Sequence, residues 1–204
     1  MPDIGRVGTG LSNIYVAQYT NAGGTISYTN GKRLGRAVDV SFNLEDASDN
    51  DFWADNVVAE SAPSRFRGGT VDLEIDGMVE AVEQFVFGLT TRPAVTVTGQ
   101  QDPVQMYGDG EASNPPYMGI GFIVEEMAGG VTTYKPVVLR KGRFQKSVRN
   151  AHTSEEDVDW QTHTLTAQLH RDDTVDKDWR WFGENVATEE IADAVLRNVL
   201  GITG

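Results

Sequence analysis

The residues of this chain best able to do chemistry are its carboxylates, and they fall in two settings. In the first, Asp46, Asp49, Asp51, Asp55 and Glu60 crowd the stretch 46–68, which also holds Phe52, Trp53, Arg65, Phe66 and Arg67. Oxygens at this density suit calcium, but an EF-hand loop needs them at its first, third and fifth positions and a glycine at its sixth. Counted from Asp46 the sixth residue is Asp51, so the required turn is missing and the stretch reads as a solvated loop. In the second setting, Asp72, Glu74 and Asp76 alternate with Val71, Leu73 and Ile75. Carboxylates in line on one side of a strand repel one another, so that side must face water or a wide aqueous space.

No other constellation assembles a reaction centre. His152, His163 and His170 match neither a zinc-helix motif nor a zinc finger. The odd separation of His163 and His170 puts them on opposite sides of a regular strand. Gly5-Arg-Val-Gly8-Thr-Gly10 lacks the preceding strand and following helix of a dinucleotide fingerprint. Ser64 and Ser147 have no evident base partner, and there is no P-loop or nucleophile elbow. Dispersed glycosidase-type carboxylates have no fixed spacing, and nothing positive points to a pair of them. The expectation is therefore no catalytic residue, no metal and no cofactor.

The chain has 204 residues, enough for one domain with a sizeable core. Its formal net charge is −13, which disfavours a protein that grips nucleic acid through phosphates and allows a surface past which DNA slides. It has no cysteine, which removes disulfides and thiolate chemistry. The N-terminal residues show no apolar leader, and no apolar run approaches the roughly 18 residues of a membrane helix, so no membrane partner is expected.

Periodicity then places the elements. Residues 1–12 read as a polar, glycine-rich arm and 13–204 as a single domain. Strands are expected at Asn13–Thr20, Thr25–Tyr28 and 38–45, where Val38, Val40, Phe42 and Leu44 alternate with Asp39, Ser41, Asn43 and Glu45. The run 70–76 is its counterpart. Met78, Val82, Phe85, Val86 and Leu89 recur at helical spacing, which predicts a short helix over 78–89 with Asp76 as its cap. Ala94–Thr98 is a strand, 99–116 a polar loop. Residues 117–145 form the organising hairpin, turned at Gly129-Gly130 and interrupted by Pro136, which marks an edge or a bulge. Thr162–Arg171 is a strand with Leu165, Ala167 and Leu169 on one side, and Asp178–Phe182 an aromatic plug. A C-terminal helix spans 187–201, capped by Thr188, with the stripe Ile191, Val195, Leu196, Val199 and Leu200.

In this order the elements resemble the major tail (tail tube) proteins of long non-contractile-tailed bacteriophages, of the phi13 type. The resemblance runs through Gly31–Val38, Asp55–Ser61, Gly69–Asp76, Gly119–Val124, Tyr134–Phe144 and Trp160–Ala167, then the aromatic segment and the last helix. The fold it implies is mainly β: a β-sandwich flanked by a short α-helix, with a long inter-strand loop and a C-terminal helix. Inner sheets of six subunits would join in a ring as one β-barrel, and stacked hexamers would form the channel for DNA delivery.

Under that resemblance Asp39, Ser41, Asn43, Asp72, Glu74 and Asp76 face the lumen. The stretch 46–68, with Asp46, Asp49, Asp51, Phe52, Trp53, Asp55, Arg65, Phe66 and Arg67, reaches neighbouring subunits. The implied partners are copies of the chain, tail tip, tape measure and terminator proteins, and genomic DNA that passes without specific binding. The implied location is the virion tail, made and assembled in the host bacterial cytoplasm. A carbohydrate- or receptor-binding β-sandwich on a virion is the alternative, with Trp53, Trp179 and Trp181 as stacking residues.

Overall fold

The computed structural model describes residues 5–46, 50–62, 65–146 and 161–202. Its centre is the hairpin of β9 (Tyr117–Ala128) and β10 (Val131–Phe144), turned at Gly129 and Gly130 with φ of 57° and 80°. Two consecutive positive φ values are what a two-residue hairpin loop demands, and glycine meets them without steric cost.

Around this hairpin the other long strands build one antiparallel sheet. β1 (Val7–Ala22) and β2 (Thr25–Gly35) extend it beyond β9. β11 (His163–His170), β6 (Phe66–Ile75) and β3 (Ala37–Asp46) extend it beyond β10, giving the order β2-β1-β9-β10-β11-β6-β3. The short β12 (Arg180–Phe182) also pairs with β10, at the half that β11 leaves free. Pro136 fits there because its oxygen accepts from Gly183 N at 2.9 Å, so its missing N–H falls on that irregular flank rather than in the β9 ladder.

The alternation read from the sequence sets the two faces. Ile14, Val16, Val71, Leu73, Ile75, Met118, Ile120, Phe122, Leu139, Leu165 and Leu169 pack on one side with Val82, Val86 and Phe87 of α1 (Glu80–Phe87). On the other side Tyr15, Ala17, Tyr19, Ile123 and Val138 pack against Ala192, Leu196 and Leu200 of α2 (Glu189–Val199) and its C-cap. Glycine at 121 lets that helix approach: a Cβ there would sit 2.8 Å from Leu200 Cδ1.

The sheet curls. Phe42 of β3 and Phe122 of β9 lie four strand spacings apart, roughly 19 Å along a flat sheet, yet their ring centroids are 6.4 Å apart. Curling is not closure. β2 runs into β3 through Arg36 alone, so residues 25–46 supply both ends of the sheet order, and these do not pair with each other. The expected β-sandwich with a barrel-forming inner sheet is thus corrected: among the described residues there is one open eight-stranded sheet with two small hairpins, and no sheet closes into a barrel.

Several elements shift from their expected bounds. Val7–Ser12, placed in an arm, are the first part of β1 and pair with β9. The helix expected at 78–89 shortens to α1, whose N-cap is Val79 with no side-chain bond, because Asp76 is held by Arg36. The polar loop 99–116 contains β8 (Val104–Gly108), which pairs with β7 (Thr90–Val95). The long loop 46–68 contains a hairpin of β4 (Asn50–Ala54) and β5 (Val57–Ala62), followed by the start of β6.

Candidate interaction surface

The polar side of β3, β6 and β11 is built by register. Asp39, Glu74 and Thr164 share one row, Ser41, Asp72 and Thr166 the next, and Asn43, Thr70 and Gln168 the third. Of the six residues that the resemblance assigned to a lumen, Asp39, Ser41, Asn43, Asp72 and Glu74 share these rows, on a sheet that encloses no lumen among the described residues. Threonines of the β11 segment meet the carboxylates: Thr166 Oγ1 donates to Asp72 Oδ1 at 2.5 Å, and Thr162 Oγ1 donates to Glu74. These bonds lower the cost of neighbouring carboxylates. Asp76 is the exception. It lies just past β6, accepting from Arg36 N at 2.8 Å and from Arg36 Nε at 2.5 Å, bonds that hold its carboxyl below the usual carboxylate range. Val38 also leaves its expected row, because the register shifts between Ala37 and Asp39.

In the 46–68 stretch the missed signal was Asp55-Asn56. Both adopt positive φ, 53° and 63°, and turn β4 into β5. Asp51, Phe52, Asp55, Val57, Val58 and Glu60 are exposed on this hairpin. Trp53 lies on β4 and Asp46 ends β3. Arg65 and Arg67 are exposed, and Asp49 falls outside the described residues, as do Ser64, Ser147 and His152. Phe66 is half-buried and stacks on Trp179 of its own chain at 4.6 Å and 15°.

The strand expected at Ala94–Thr98 lies earlier in the chain, as β7, and its hairpin partner β8 was not foreseen. The base of the β7–β8 hairpin is fastened by Thr90 Oγ1 donating to Gly108 O at 3.0 Å and by Lys146 paired with Asp109 at 2.5 Å. Beyond the base, every residue from 91 through 107 is exposed, including Val95, Val97, Val104, Met106 and Tyr107.

Beneath α2 lies a buried ion pair that sequence reading also missed. Arg140 Nε and Nη2 meet Asp172 Oδ2 at 3.0 and 2.9 Å, and the guanidinium lies 3.5 Å from the Trp181 ring centroid. Asp172 Oδ1 accepts from Thr174 N and Oγ1, and Tyr28 Oη donates to Arg140 O at 2.7 Å. A hollow of about 530 Å³ opens beside them, lined in part by Asp176 and Asp178. Two of the three tryptophans proposed for sugar stacking are thus engaged: Trp179 by Phe66, and Trp181 by Arg140 and by donating Nε1–H to Asp178 Oδ2 at 2.7 Å. His163 and His170 do fall on opposite sides of β11, with His170 edge-on to Tyr117 at 5.5 Å. Burial first, then Lys141 and Arg143, hold the His170 imidazole below its ordinary value.

No known protein family matches this chain, and no curated protein matches it. The tail-tube function is corrected with the fold. A DNA channel needs a barrel wall, and among the described residues the sheet that carries Asp39, Asp72 and Glu74 stays open. The β-sandwich expected of a sugar- or receptor-binding module is likewise absent among them.

Proposed function

We propose that this chain is a non-catalytic assembly protein that joins copies of itself through arms lacking a core of their own. The observation that supports this reading is the β7–β8 hairpin, exposed along its whole length beyond the base. A two-stranded hairpin is marginal in water by itself. Covering Val95, Val97, Val104, Met106 and Tyr107 would remove apolar surface worth about 25 cal/mol per Å².

Charge favours another copy as the cover. Two chains of net charge −13 repel, but between Thr90 and Gly108 the only charged residues are Arg92 and Asp102. The neutral hairpin is a part that two acidic molecules can bring together at little electrostatic cost. The same chain offers exposed apolar counterparts at the open end of the sheet, Val38, Phe42 and Leu44 of β3.

Sedimentation velocity over a wide concentration range tests the reading. The expected result is mass that rises with concentration, and a chain with 92–106 replaced by a short Gly-Ser turn that stays folded and monomeric. A wild-type chain that is monomeric throughout overturns it.

A further inference from the structure

The hollow of about 530 Å³ beside the Arg140–Asp172 pair is of a size that holds small molecules. Arg140 is only 4% exposed, yet it is one of the residues lining that hollow. Its Nε and Nη2 are committed to Asp172 Oδ2, while Nη1 makes no hydrogen bond among the described residues. No fully buried side-chain nitrogen or oxygen among those residues lacks a partner, so Nη1 must keep an opening to water. Asp172 has no room for a further donor: Oδ2 meets Nε and Nη2, and Oδ1 accepts from Thr174 N at 3.1 Å and Thr174 Oγ1 at 2.6 Å.

Asp176 and Asp178 bring the opposite charge to the same hollow. They flank Lys177, which takes a left-handed φ of 57° and does not line it. Asp178 Oδ2 accepts from Trp181 Nε1, and Asp176 is exposed with no bond among the described residues. Ile26, Val199 and the 43%-exposed Trp181 add an apolar wall. Three aspartates against one arginine repel a plain anion. A plain cation would leave the Arg140 donor unused. A molecule with a carboxylate, an ammonium and an apolar group meets all three features.

We propose that this hollow binds a free apolar α-amino acid. Its carboxylate accepts from Arg140 Nη1, its ammonium donates to Asp176 and Asp178, and its side chain lies against Trp181, Ile26 and Val199. Bonds between ionised groups are the strong ones, and shielding of the guanidinium from water strengthens them further. Binding needs one chain alone, so it is independent of self-association.

Calorimetric titration of the full chain with L-phenylalanine and with L-leucine tests the site. The expected result is saturable one-to-one binding below about 1 mM, with the indole N–H resonance of Trp181 shifting as ligand is added. Phenethylamine, which lacks the carboxylate, and phenylpropionate, which lacks the ammonium, should each bind about tenfold more weakly. Arg140 is too deeply paired to replace without loss of the fold, so these ligands read its contact instead. Asp176→Asn with Asp178→Asn keeps an acceptor for Trp181. That variant should unfold at the wild-type temperature and bind L-phenylalanine about tenfold more weakly. The proposal is overturned if neither amino acid binds, or if binding leaves the Trp181 resonance unmoved. It is equally overturned if phenethylamine matches L-phenylalanine, or if the folded double variant matches wild type.

Discussion

Two hairpins of this molecule share a strand chemistry and have opposite fates. β9–β10 and β7–β8 are both rich in valine, threonine and tyrosine and both are antiparallel pairs. In the first, Met118, Ile120, Phe122, Val137 and Leu139 are buried in the core cluster that also holds α1, and Ile123 and Val138 in the cluster that holds α2. In the second, the valines and Met106 stand in water. Propensity writes a strand, but neighbours decide whether it is scaffold or arm. A pair with sheet on either side gains from burial on both faces. A pair held only at its base gains almost nothing and keeps its apolar surface for something else.

The sharpest way to break this comparison is the same kind of truncation in each hairpin. Ile120→Ala removes a fully buried side chain and should cost about 3–4 kcal/mol of unfolding free energy. Met106→Ala in the exposed hairpin should stay within about 0.5 kcal/mol in dilute solution. Urea unfolding of both variants at a concentration where the chain is monomeric would check this. Similar losses at the two sites would mean that β7–β8 contributes to the core after all.

The next largest effect separates scaffold from arm by charge. Arg140 and Asp172 are buried and paired in the scaffold, whereas Asp51, Asp55 and Glu60 on β4–β5 face water. Asp172→Ala leaves a guanidinium under Trp181 without its carboxylate and should cost about 3 kcal/mol. Asp55→Ala should cost less, about 1 kcal/mol, because the only penalty there is alanine in the left-handed backbone at φ 53°. Parallel thermal unfolding of the two variants would resolve the pair.

Much of the scaffold was legible, because burial on one side of a strand leaves a period of two. Val71, Leu73 and Ile75 against Asp72 and Glu74 fell on the sides their alternation required, as did Leu165, Ala167 and Leu169. Thr188 was legible as a cap, its Oγ1 accepting from Ile191 N at 3.4 Å. The stripe of α2 was only half right: Leu196 and Leu200 pack inward, but Ile191 and Val195 stay exposed, where Ala192 takes the inner place. A small residue against a tight strand surface gives no hydrophobic signal. The β4–β5 hairpin and the pairing of β7 with β8 were missed for the related reason that exposed strands carry no burial period to read. Closure was not legible at all. Alternation tells which side of a strand is wet, and the number of strands that must pair before a sheet meets itself lies outside it.

The smallest effect sharpens the comparison from within the scaffold. Tyr28 is buried between β9 and α2, and its Oη donates to the carbonyl of Arg140, in the register shift between Leu139 and Gly142. Tyr28→Phe should cost about 1 kcal/mol at neutral pH by leaving that carbonyl unpaired. Burial pushes the Tyr28 hydroxyl well above its ordinary value near 10, against the opposing pull of Arg140, and pushes Tyr19 up to about 12. Both hydroxyls hold their protons more tightly folded than unfolded. Their stabilisation is therefore complete below pH 10 and is lost as pH rises, the Tyr19 share being gone above about 12. The expected alkaline limb is a steady fall in unfolding free energy from pH 10 upward, shallower in Tyr28→Phe than in wild type. Identical limbs would show that Tyr28 ionises as freely in the folded chain as in the unfolded one, and that α2 does not seal this side of the sheet.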